Sequence, residues 1–78
     1  MPVYAVYERH PSGEKRYVCG CFALVDAIAQ AKLERRLAKA FGYHYFVLLA
    51  GRLEYSTTIA ERAEASDPLM VKAVSHAS

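Results

Sequence analysis

The sequence predicts an α+β domain: a single antiparallel sheet of about four strands in ββαββ order, with one long helix on one face and a short helical C-terminal tail. Three observations predict it. Runs rich in Tyr, Val and Leu come in two pairs, each pair joined by turn residues. One unbroken stretch of strong helix formers stands between the pairs. After the fourth run the composition changes to capping residues and alanine. A chain of 78 residues is expected to be a single domain, with a ββαββ core over 3–57 and a helical tail over 58–78.

The first strand is "VYAVYER" (3–9) and the second "RYVCGCF" (16–22). Between them "HPSGEK" combines Pro, Ser and Gly, which makes the pair a hairpin. "LVDAIAQAKLERRLAKAF" (24–41) contains no Gly or Pro and reads as one helix. Gly42 follows where a left-handed cap belongs, and Lys39 in the last turn suits the helix dipole. "YHYFVLLA" (43–50) is apolar at nearly every position, as a central strand is. A tight turn at Gly51 returns the chain into "RLEYST" (52–57). Thr58 and Glu61 have capping-box spacing, which starts a short helix over 59–65. Asp67-Pro68 starts another over 68–76, although "LMVKAV" also suits an edge strand.

The two cysteines, Cys19 and Cys21, stand one glycine apart. Strand alternation puts Tyr17, Cys19 and Cys21 on one face and Val18, Gly20 and Phe22 on the other. Strand neighbours two apart lie about 6.5–7 Å from Cα to Cα, at the limit for a disulfide. A zinc site needs about four ligands, and the three histidines stand at no zinc-type spacing. The cysteines therefore read as strand residues, or as contacts across a dimer. The single long helix is expected over Val18 and Phe22, with Gly20 permitting close approach. That leaves a tyrosine-rich face around Tyr17, Cys19 and Cys21, covered either by the tail or by a partner. A domain this small is marginally stable, and oligomerisation is one remedy, so a homodimer through that face is expected.

Net charge is only +2, but it is unevenly spread: residues 1–52 hold eight Lys or Arg against four Asp or Glu. On the helix, Lys32, Arg35, Arg36 and Lys39 fall at i, i+3, i+4 and i+7, in one arc. The ridge is either a solvated face or a seat for phosphates or an acidic protein. The apolar residues of this helix do not keep to one stripe, since Leu24 and Ile28 point away from Leu33 and Leu37.

Catalytic signatures are missing. The sequence has no Gly-rich phosphate loop and no serine with a supported His/Asp arrangement. Glu8 and Glu14 flank a turn, His10 reads as a turn residue, and His44 as a buried, satisfied histidine. The expectation is a protein that is not an enzyme and uses no cofactor and no metal. Small RNA readers carry aromatics within basic strands or a GXXG loop, and neither signature is legible here, so direct nucleic-acid binding is not the favoured reading. The segment "MPVYAVYERH" is not a secretory signal and "YFVLLA" is too short to span a bilayer, which together suggest a cytoplasmic protein with no membrane partner.

"YAVYER", "VCGCFALVDAIAQA" and "YFVLLAGRLEYS" lay out a hairpin, a helix and a second hairpin over residues 3–58. This layout resembles small phage-encoded anti-CRISPR proteins. The resemblance implies a non-enzymatic inhibitor in the cytoplasm of a bacterial host, bound to a type I CRISPR surveillance complex, with type I-C the first subtype to test. A basic helix argues against DNA mimicry and for steric blocking of target DNA or of nuclease recruitment. The implied partner is a protein or ribonucleoprotein. A small dimeric nucleic-acid-binding regulator and a self-associating accessory domain are the alternatives.

Overall fold

The computed structural model describes residues 2–66, which form two hairpins around a helix, followed by a second helix. Strands β1 (Tyr4–Arg9) and β2 (Lys15–Cys21) make the first hairpin, and helix α1 (Leu24–Leu37) follows. Strands β3 (His44–Leu49) and β4 (Arg52–Ser56) make the second, and helix α2 (Thr57–Ser66) continues directly from β4. The strands form one antiparallel sheet in the order β2-β1-β3-β4. This is the α+β, ββαββ architecture the sequence predicts. The helix or edge strand expected over 68–76 lies outside the described residues.

Local chemistry accounts for the connections. In the first hairpin the Gly13 N–H donates to the His10 carbonyl at 2.9 Å and the His10 N–H to the Glu14 carbonyl at 2.8 Å. Pro11 supplies the fixed φ of the turn, and Gly13 takes the positive φ, 93°, that closes it. In the second hairpin Ala50 (φ 50°) and Gly51 (φ 80°) are both left-handed, as a primed two-residue turn requires. Helix α1 stops at Leu37, four residues before its composition suggested. The chain tightens into a 3-10 turn, Lys39–Phe41, before Gly42 (φ 72°) ends it, donating its N–H to the Lys39 carbonyl at 3.0 Å.

The central strands β1 and β3 bury Val6, Tyr45 and Val47 against Ala27 and Ala31 of α1. Those alanines leave little side chain between helix and sheet, so the core is thin. The helix covers the face opposite to the expected one. Val6 pairs with Cys19 and Tyr4 with Cys21, so both cysteines pack against the core on the α1 side. A register shift between Val6 and Tyr7 breaks the alternation of β2: Tyr17 pairs with Tyr7 and lies on the other face. The three residues proposed to share a dimer face are thus divided between two faces by a β-bulge. Val18 joins the cysteines beneath the helix, whereas Phe22 is exposed. Gly20 makes room for Tyr17, not for α1: a Cβ there would stand 2.9 Å from the Tyr17 hydroxyl and 3.0 Å from Val3.

Candidate functional site

Among the described residues no helix lies over the sheet face opposite α1. Its centre is a line of rings across three adjacent strands. Tyr17 of β2 meets Tyr7 of β1 edge-on at 5.6 Å between centroids, and Tyr7 stacks on Phe46 of β3 at 5.4 Å. The period of two makes this line, since Tyr7 and Phe46 are register partners and Tyr7 and Tyr17 are too. The Lys15 ammonium stands 6.0 Å from the Phe46 ring centroid. Tyr17 is 55% exposed.

Beside the rings runs an open groove of about 550 Å³ bounded by β3, β4 and the start of α2. Phe46, Leu48, Leu53 and Ile59 give it apolar walls. The charged side chains lining it are Arg9, Lys15 and Arg62, with no carboxylate among the lining residues. These cations come from the end of β1, the start of β2 and from α2. Sequence reading missed them as a set because they are far apart in the chain, and the bulge that sends Tyr17 to this face has no signature in composition.

The basic ridge is divided, with Lys32, Arg35 and Arg36 on α1 and Lys39 in the 3-10 turn after it. Lys32, Arg36 and Lys39 are exposed. Arg35 is largely buried: its Nε and Nη2 donate to the two Glu61 oxygens at 2.7 and 3.0 Å, and its Nη1 donates to the Tyr43 carbonyl at 3.1 Å. It ties α1 to α2 and to the residue just before β3, and is not free to meet a partner. The Arg35 hydrogen bonds hold Glu61 below the usual carboxylate range. Glu61 and Glu64 line the shallow groove beside this ridge, so its field is mixed.

On the covered side Glu8, which the sequence reading places at the end of the first strand beside a turn, is buried. Its carboxylate accepts the Tyr45 hydroxyl at 2.6 Å, faces His10 Nε2 at 2.6 Å and lies 3.3 Å from Arg16 Nε. Burial alone would raise its pKa, but the Tyr45, His10 and Arg16 contacts outweigh it and hold the group below its ordinary value. Period-two spacing from Tyr4 and Val6 was the available signal that Glu8 points inward. His10 is half-buried and stacks on Tyr43 at 4.0 Å between centroids. The network has both carboxylate oxygens occupied by protein groups, which makes it a structural ion site. His44 pairs through Nδ1 with the Thr57 hydroxyl at 3.0 Å, and Thr57 also accepts the Tyr45 N–H at 2.9 Å, fastening the start of α2 to β3. Burial, then Arg35, pushes the His44 pKa down.

Cys19 and Cys21 are free, half-buried thiols. Burial, then Cys21 and Glu34, pushes the Cys19 thiol up, which favours the protonated form. Among the described residues no group of three or more His, Cys, Asp or Glu could hold a metal ion, and no helix is long and apolar enough to cross a membrane. No protein-family model, no curated protein and no solved structure matches this chain.

Proposed function

We propose that this protein is a non-enzymatic inhibitor that occupies a type I CRISPR surveillance ribonucleoprotein and blocks target DNA or nuclease recruitment by steric occlusion. The observation that carries the reading is the sheet face opposite α1, aromatic at its centre and cationic at its rim. Contiguous apolar surface rimmed by polar groups is typical of interaction sites. Aromatic residues and arginine are the side chains enriched at such contacts. The ββαββ order is the layout on which the anti-CRISPR resemblance rests. Lys32, Arg36 and Lys39 offer a second contact, on acidic protein. A homodimer would form away from the sheet face, whose cations would repel their copies; Val25 and Leu37 leave apolar surface for it on the outer side of α1.

The test is phage plating on a host whose type I system targets that phage, beginning with type I-C. Expression of the protein should restore plating, and the ribonucleoprotein should co-purify with it. Absence of rescue across the type I subtypes would sink the proposal.

A further inference from the structure

We propose that the sheet face opposite α1 binds single-stranded nucleic acid, with a base stacked on Tyr17, braced by Tyr7 and Phe46, and phosphates held by Arg9, Lys15 and Arg62. The inference takes the open face as the working surface, as the proposed function does, but it does not require a CRISPR target.

Charge selects the occupant. The groove beside the rings is lined by three cations and no carboxylate, so an anion is favoured there. A second copy set face to face would bring like charges together. An acidic protein would satisfy the cations, but it would not place a planar group beside each charge as a nucleotide chain does. A single strand satisfies both requirements, because every base has a face to stack and every linkage carries a phosphate. Duplex satisfies only the second, since its bases are already stacked within the helix.

The geometry suits a strand running across the sheet. Tyr17, Tyr7 and Phe46 stand on adjacent strands, and such strands lie about 4.8 Å apart. Tyr17 is the ring with free surface: it is 55% exposed, and Gly20 beneath it leaves space for its hydroxyl. Tyr7 and Phe46 brace it from the side. Arg9 and Lys15 face one another across the β1–β2 hairpin, and Arg62 reaches the same groove from α2. Leu48, Leu53 and Ile59 provide apolar surface for a base or sugar next to those cations.

The experiment is fluorescence anisotropy of the full chain with labelled single-stranded RNA and DNA oligonucleotides of mixed sequence, with duplex of equal length as control. Single strands should bind more tightly than duplex. Affinity should fall with salt, with a log–log slope of about −2 for three phosphate contacts. Arg62→Ala should reduce that slope by about 0.7. Tyr17→Ala should weaken binding roughly 5- to 100-fold and leave the slope unchanged, as loss of a stacking platform does. Lys39→Ala, in the 3-10 turn after α1, should change neither. The proposal is overturned if the single strands do not bind at low salt, if duplex binds as well as single strands, or if Lys39→Ala weakens binding and Tyr17→Ala does not. A protein that rescues phage yet binds no oligonucleotide keeps the inhibitor reading and loses this one. Oligonucleotide binding without rescue does the reverse.

Discussion

Glu8 shows how a single charged residue is tolerated in a thin core. It is 5% exposed, yet it is met by a tyrosine hydroxyl, a histidine and an arginine. Burying a carboxylate without partners is prohibitively costly, so the three groups are what allow it to sit beside Tyr45. Removing the charge leaves their donors without a full acceptor. Glu8→Gln should therefore destabilise the fold by about 1–3 kcal/mol, read as a lower urea midpoint. A variant as stable as the parent would show that the network contributes nothing net. Tyr45 itself has its hydroxyl pKa raised by burial and then by Glu8, so it stays a donor at all ordinary pH values.

At the level of elements, α2 depends on particular contacts more than on buried area. Thr57 hooks its first turn to β3, and Arg35 holds Glu61 in its second. Arg35 is well shielded, but Glu61 is 43% exposed, so solvent screens part of the attraction. Arg35→Met should lower global stability by only about 1 kcal/mol, while loosening α2 more than the sheet. Amide exchange would reveal this as lost protection over residues 57–66 with β1 and β3 nearly unchanged. Uniform loss across the sheet would mean that the Arg35–Tyr43 contact, not the α2 clamp, is the important one. The basic ridge that composition displays as four equivalent cations is thus three surface charges and one structural bolt.

Taken as a whole, the molecule should be acid-sensitive in two stages. His44 has a folded-state pKa below its ordinary 6.5, so the fold favours the neutral ring. Stability from that source is complete above pH 6.5 and is lost as pH falls through the lower folded value. Glu8 and Glu61 have folded-state pKa values below their ordinary 4.5, so the fold favours their ionised forms. Their contribution is complete above pH 4.5 and is lost on further acidification. The urea midpoint should be level at neutral pH, decline gently below 6.5, and fall more steeply below 4.5. An unchanging midpoint down through pH 4.5 would contradict these assignments. A small body with five buried apolar residues in its core among the described residues has little other stability to draw on.

Order and type of the elements were legible in the sequence, because hydrophobic period, turn residues and helix formers are local properties. "YHYFVLLA" announced a central strand, and β3 is one. Gly42 and Gly51 announced the left-handed positions, and both have positive φ. The early end of α1 was not legible, since Ala38 to Phe41 would suit a helix as well as a tighter turn. Which face α1 covers was decided by tertiary structure alone. The β-bulge at Val6/Tyr7 shifts the parity of β2, and one residue of shift sends Tyr17 to one side and the cysteines to the other. The division of the basic ridge and the gathering of Arg9, Lys15 and Arg62 are likewise long-range. Local sequence determined what each segment becomes. Register and packing between distant segments decided which side chains meet, and so where the open aromatic face lies.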